Sequence, residues 1–345
     1  MIKAEYSPYT LDFTFTAITS RQAMKVKDTY FIHVWDTLDT NNHVVAEVPL
    51  FRGLSAEDTP LFENILRKSC KNPLDIDYYK KYSSIRFGFE AAFKRLGCKR
   101  HDSEWSQGHS PIRINGLIWM GDKELMAERI EEKLNAGFHC LKLKIGGINF
   151  EEEIDLLKYI RSRFPAGRLE LRLDANGSFT SGNALKRLEA LSRYSIHSLE
   201  QPVKAGQPEE MARICSESPI DIALDEELIG VTGDEVKRQL LAFIRPRYII
   251  LKPALCGGFM EANRWIYLAE SLGIGWWATS ALESNIGLYD IADWVSSKKP
   301  AMVQGLGTGS LYSNNIDSPM VLRGEELWLD PKRSWGSVPV NFIQP

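Results

Sequence analysis

Five ionisable residues leave five successive apolar runs: Lys144, Asp174, Glu200, Asp225 and Lys252. Their separations of 30, 26, 25 and 27 residues each match one strand-plus-helix unit. A single charged residue leaving a strand is as a rule a solvated loop residue. Five at matched positions instead define one rim, where strand ends converge on shared chemistry. Asp174, Glu200 and Asp225 make an acidic pocket with only oxygen donors. Three packed carboxylates repel and raise one another's pKa unless a cation lies among them. Such donors suit Mg²⁺, with Mn²⁺ as a substitute, better than zinc. None of the six histidines (His33, His43, His101, His109, His139, His197) stands at a strand end in a HEXXH or HxH pattern. His139 and His197 fall near strand beginnings and read as structural.

Lys142 and Lys144 are two apart on one run, so both side chains point to the same, inward face. A lysine inside a barrel is costly unless paired or used. Two adjacent ammonium groups beside a divalent cation depress one another's pKa, which makes a base able to work near neutral pH. The competing reading is a structural ion pair with a neighbouring carboxylate. Lys252 approaches the same cavity from the opposite side.

The elements that position these groups are short and alternating. Strand-like runs occur at 114–119, 140–145, 169–175, 196–201, 221–226, 247–252, 274–280 and 301–306, with helix-like segments between them. Eight strands with seven helices imply parallel βαβ units closed into a barrel, a (βα)7β TIM-like fold, with a doubly wound open sheet as the competitor. The open sheet advertises a Gly-rich turn after its first strand, and WMGDKEL follows here. Upstream, 2–16 and 29–37 alternate like strands, and the DTNNH run has turn chemistry. The segment SAEDTPLFENILRKSC reads as a helix capped by Ser55, and 82–96 as a second helix. The expectation is an α+β capping domain over 1–110 and a barrel over 111–320. The tail, 321–345, is expected to pack back on the cap.

Composition narrows the class. In 345 residues, 42 basic and 45 acidic side chains leave a net charge of −3, with 44% apolar residues. That is an ordinary globular balance and gives no electrostatic reason for a nucleic-acid partner. No apolar run reaches the ~20 residues of a membrane span, and the start lacks a secretory pattern. Five scattered cysteines (Cys70, Cys98, Cys140, Cys215, Cys256) without a CxxC pair point to reduced thiols and a cytoplasmic setting.

LKLKIG, LRLDANG, SLEQP, ALDEEL, ILKP and ATSALESNIG occur in this order and at this spacing. Together they resemble the enolase superfamily in its muconate-lactonising subgroup, over nearly the whole chain. Arg172 before Asp174, EVPLFRGLSAED and SSIRFGFEAAF are similar to the o-succinylbenzoate synthases within it. The resemblance implies a syn dehydration in menaquinone biosynthesis, on a small cyclohexadiene carboxylate bearing a hydroxyl and a succinyl chain. It implies Mg²⁺ on Asp174, Glu200 and Asp225, and Lys144 as base and then acid. Lys142 would tune Lys144, and Lys252 would stabilise the anion from the opposite face. Asn176, Glu226 and Arg172 would support the ligands from behind. Ser280, with the backbone around Leu282 and Glu283, would hold the succinyl carboxylate. Arg21 and Phe51 lie where mobile cap loops close over substrate. Trp276 and Trp277 alternate, so only one faces inward, and GLGTGS (305–310) reads as a loop near the pocket. The alternative on the same scaffold is an N-acylamino acid racemase or dipeptide epimerase. Dipeptide epimerases of this subgroup carry Asp-x-Asp after strand eight, where this chain has Gly305-Leu306-Gly307. A non-catalytic barrel would have no reason to keep costly inward charges.

Overall fold

The computed structural model describes residues 1–19, 23–97 and 103–345. Arg21, Cys98 and His101 lie outside the described residues. Strands β1 (Ile2–Ile18), β2 (Ala23–Asp36) and β3 (Asp39–Val48) form an antiparallel sheet. The pairing of Asp36 with Asp39 places the β2–β3 turn at Thr37–Leu38, and DTNNH runs on inside β3. The turn moves upstream because the Asp36 carboxylate accepts the Leu38 amide at 3.0 Å, closing an Asx-type turn.

Helices α1 (Phe62–Lys71), α2 (Ile76–Tyr79) and α3 (Ser83–Gly97) cover one face of this sheet, with Ile32, Val48, Phe62, Leu66 and Phe89 in their common core. α1 starts six residues later than expected, with Leu61 rather than Ser55 at the N-cap position. Pro60 disfavours helical backbone at Thr59. Ser55 does not cap a helix; its hydroxyl accepts the Phe51 amide at 3.0 Å and closes a turn.

After β4 (Ile112–Arg113) comes β5 (Gly116–Ile118), the first barrel strand. Then strand and helix alternate: α4 (Lys123–Asn135), β6 (Cys140–Lys144), α5 (Phe150–Arg163), β7 (Glu170–Asp174), α6 (Ala184–Ser192) and β8 (Ser198–Glu200). The series continues through α7 (Pro208–Glu217), β9 (Ile222–Leu224), α8 (Asp234–Ile244), β10 (Tyr248–Leu251), α9 (Gly258–Ser271), β11 (Gly275–Ala278) and α10 (Asn285–Ser296). β5 to β11 make a seven-stranded parallel sheet in sequence order. The strands carry leucine and isoleucine outward into a continuous core shared with the helices.

The eighth run is not a continuous strand. Single parallel bridges join Ile114 to Gln304 and Thr279 to Gly305, so 304–305 links both edges of the curled sheet. The Gln304 side chain substitutes for ladder backbone by accepting the Ala278 amide at 2.8 Å. Glycines flanking this run weaken it as a strand.

The chain closes with β12 (Met320–Arg323) and β13 (Glu326–Leu329), which pair with each other, and β13 pairs with β4. Farther on, Ile343 bridges Tyr6 of β1 through amides at 2.7 and 3.2 Å. The tail therefore touches β4 first and the cap sheet only near its end. Among the described residues, no helix is long and apolar enough to cross a membrane.

Candidate active site

Register builds the site. Lys144 pairs with Asp174, and Asp174 with Glu200, so three charged side chains stand abreast on β6, β7 and β8. In a parallel sheet, directly paired residues share a face, here the inside of the curl. Asp225 follows β9 by one residue and Lys252 follows β10 by one, which continues the row around the rim. One layer lower, Lys142 pairs with Arg172.

Five of the six charged groups of this cluster are buried, and the side chain of the sixth, Lys252, is 13% exposed. Asp174 Oδ2 receives both Lys142 Nζ and Lys144 Nζ at 3.0 Å. Lys144 Nζ also donates to Asn176 Oδ1 at 2.8 Å and lies 5.6 Å over the Trp119 ring. Lys252 donates to Asp225. Burial pushes Lys144 below the ordinary lysine value; Asp174 pulls the other way, and Lys142 and Lys252 add repulsion. Burial works on Lys142 too, but Asp174, Glu200 and Asp225 outweigh it and hold that ammonium above its ordinary value. Lys252 is likewise raised, chiefly by Asp225 against burial.

The donor chemistry fits a hard cation. Lys142 Nζ stands 2.6 Å from Glu200 Oε2, yet neither buried Glu200 oxygen has an aligned hydrogen bond. Burial, then repulsion from Asp174, pushes this carboxyl up to about 8. A bound cation reverses that balance. Among the described residues, no three acidic, histidine or cysteine side chains already close on a common point. Lys142 stands against Asp174 and Glu200, and Lys252 against Asp225. Metal entry therefore has to displace ammonium groups.

The supporting residues divide. Asn176, left-handed at φ 44°, donates to Glu226 Oε1 at 3.2 Å while accepting from Lys144, which puts both in one hydrogen-bonded chain behind Lys144. Arg172 does not touch Asp174. Its guanidinium reaches Glu170 at 2.7 Å and the Val303 carbonyl at 2.9 Å, and lies 4.2 Å over Trp277. It packs the barrel floor. Trp277 is thus the inward member of its pair, while Trp276 turns to Glu270 on α9.

The cavity above the cluster is lined by Lys142, Lys144, Asp174, Asn176 and Lys252, and also by Phe51, Trp119, Ser280, Leu282, Gly305 and Gly307. Glu283 lies beneath this wall instead, fully buried, accepting the Ala281 amide at 2.7 Å.

Three contributors were missed in the sequence. Gln201 accepts the Asp225 amide at 3.1 Å and donates to Glu227 at 3.1 Å, fixing the loop that carries the third acid. Its place directly after Glu200 was the available signal. Glu153 on α5 accepts the Gly146 amide at 2.5 Å and shapes the loop after Lys144. Glu47, on β3 of the cap, left no sequence signal.

A family model described as enolase C-terminal domain-like matches residues 125–305. The chain belongs to the enolase superfamily. Within the superfamily, an o-succinylbenzoate synthase of Desulfotalea psychrophila is 50% identical over 248 residues, 71% of this chain and 67% of that one. The crystal structure of MenC from Desulfotalea psychrophila superposes with a TM-score of 0.80 at 38% identity, covering 95% of this chain and 99% of the other. A dipeptide epimerase of Enterococcus faecalis, crystallised with Mg and L-Leu-L-Tyr, superposes with a TM-score of 0.82 at 21% identity, over 95% and 96%. That likeness shows the shared superfamily fold, a barrel under an N-terminal cap.

Proposed function

We propose that this superfamily member is an o-succinylbenzoate synthase, a carbon–oxygen lyase acting in menaquinone biosynthesis. Its substrate would be 2-succinyl-6-hydroxy-2,4-cyclohexadiene-1-carboxylate and its product 2-succinylbenzoate. The observation that carries the chemistry is the row Lys144–Asp174–Glu200, continued around the rim by Asp225 and Lys252, with Lys144, Asp174 and Lys252 lining one cavity. The 50% identical synthase supports the choice of substrate.

The proton on the carbon bearing the carboxylate is weakly acidic, because its removal puts a second negative charge beside the first. When Mg²⁺, or Mn²⁺ in its place, is held by Asp174, Glu200 and Asp225, it neutralises charge on that carboxylate. Lys144, as free amine, takes the proton and becomes an ammonium. The same ammonium then gives its proton to the departing hydroxyl, so water leaves, the ring becomes aromatic and the amine is restored. Asn176 and Asp174 hold Lys144 Nζ in place for both transfers. Lys142 stays protonated beside the substrate carboxylate, and Lys252 stabilises the ring anion from the other face. Ser280, Leu282 and Phe51 form the wall facing the succinyl chain. The four described free thiols suit a cytoplasmic protein.

A second reading has one observation in its favour. Lys144 and Lys252 line the same cavity, as an acid–base pair for racemising an N-acylamino acid would. Gly305 and Gly307 offer no carboxylate to a substrate ammonium, which weighs against dipeptides. Incubation with the hydroxy-cyclohexadiene and Mg²⁺, following loss of diene absorbance, tests the proposal. Turnover supports it. No turnover, together with racemisation of an N-succinylamino acid, overturns it in favour of the second reading.

A further inference from the structure

We propose that Glu47, on cap strand β3, is a positioning residue that holds the substrate-facing loop 280–284 in shape. Its carboxylate is wholly buried and meets a segment 237 residues away in sequence. Glu47 Oε2 accepts the Ser284 amide at 2.9 Å, the Ser284 hydroxyl at 2.6 Å and the Gly287 amide at 3.0 Å. Oε1 accepts the Thr29 hydroxyl of β2 at 2.7 Å. These amides open α10 and would otherwise lack partners. A carboxylate there also meets the positive end of the helix dipole.

Helix capping alone does not require this acid. Ser284 already accepts the Ile286 amide at 3.2 Å as the helix's own cap. What Glu47 adds is a bond from the capping domain to the base of the cavity wall. The loop needs it: Leu282 sits at φ 63°, a left-handed conformation that leucine rarely takes and that persists only when neighbours impose it. The loop's upper part is held locally, Leu282 N by Ser280 Oγ at 2.8 Å and Leu282 O by Tyr312 at 2.7 Å. Its lower end is held by Glu47. α10 admits the carboxylate because residue 287 is glycine; a Cβ there would meet Glu47 Oε2 at 2.7 Å. Lys27, buried on β2 with no hydrogen-bond partner for its ammonium, adds positive potential toward Glu47 and Glu283.

Ser280, Ala281 and Leu282 line the cavity, so loosening the loop changes how substrate is held more than how Lys144 moves the proton. The assay rests on the proposed dehydration, while amide exchange reads the loop without substrate. Losing hydrogen bonds to a buried charge predicts about a tenfold rise in KM for Glu47→Ala, with kcat within about threefold of wild type. Exchange of the 280–287 amides should quicken by about tenfold, while α5 stays protected. Glu47→Gln fills the same volume but turns an amide donor toward donors, so it should behave as Glu47→Ala does. Ser284→Ala removes one hydroxyl and should shift KM by about threefold in the same direction. Wild-type KM and exchange in Glu47→Gln would reduce Glu47 to a space-filler and overturn the proposal. If the Glu47 variants do not fold, Ser284→Ala decides, and unchanged KM and exchange there overturn it too. Failure of the wild-type enzyme to dehydrate the diene sinks the assigned reaction, yet the exchange measurement still judges the loop.

Discussion

Lys142 and Lys144 share a strand face and one carboxylate oxygen, yet their surroundings separate their roles. Lys142 faces Asp174 and Glu200 and is bound to its proton. Lys144 has half a share of Asp174 plus the neutral Asn176, under the repulsion of two other ammoniums. The lysine with the weaker hold on its proton is the one suited to serve as base. Lys144→Ala is expected to cut kcat by about 10³-fold or more, in the range lost with a general acid–base group. Its circular dichroism and melting curve should stay near wild type, because Asp174 keeps Lys142. An unchanged turnover rate would remove Lys144 from the mechanism. The pairing of residue type with spacing made this cluster legible in the chain. Arg172 was not legible in the same way. Sequence parity places it inward, but not whether its long side chain runs up to Asp174 or down to Glu170. Only the packing partner, Trp277, decides that.

At the scale of elements, the strands were legible where alternation of apolar runs and helices repeats. They were less so where a side chain does the work of backbone. Gln304 stands in for ladder hydrogen bonds, so the eighth run closes the sheet without being a strand. Pro60 and the Asp36 turn moved two boundaries by local chemistry that periodicity ignores. The loop between β11 and α10 was visible only as a motif, because its support comes from β3. Its acid, Glu283, gives it a pH signature. Burial, then repulsion from Glu47, pushes Glu283 up from the ordinary 4.5 to about 7, against the pull of Lys27. An acid whose folded pKa is raised binds its proton more tightly when folded. Its stabilising effect is therefore full below about pH 4.5 and lost as pH rises through about 7. At about 1.4 kcal/mol per pH unit, the window carries at most about 3.5 kcal/mol. Glu283→Gln should flatten the decline of melting temperature over that range. Parallel wild-type and variant curves would show that Glu283 does not titrate there.

On the scale of the whole molecule, the proposed metal ligands lie at the ends of three successive barrel strands and exist as a set only when the barrel is closed. The cap is tied to that barrel by Lys94–Asp293 at 2.6 Å, Arg95–Asp290 at 3.2 Å and Arg86–Glu261 at 3.2 Å, besides Glu47. Exposed pairs of this kind add little, but several of these partners are buried and cross between α3 and the barrel helices. Stabilising the rim should therefore stabilise the cap with it. An ion that binds only the folded chain adds RT ln(1 + [ion]/Kd), about 2.7 kcal/mol at a hundredfold excess over Kd. For a chain of this size, that corresponds to a rise of several degrees in melting temperature. Chelator-stripped protein given millimolar Mg²⁺ should thus melt later and in a single transition, cap and barrel together. Glu200→Gln keeps the shape but removes the acid whose oxygens lack aligned partners, and should lose most of the shift. It should also melt no earlier than wild type without metal, since the change relieves a buried, poorly satisfied carboxylate. A Mg²⁺ shift that survives Glu200→Gln would place the ion elsewhere. Two separate transitions, only one of them moved by the ion, would show that the cap does not feel the rim.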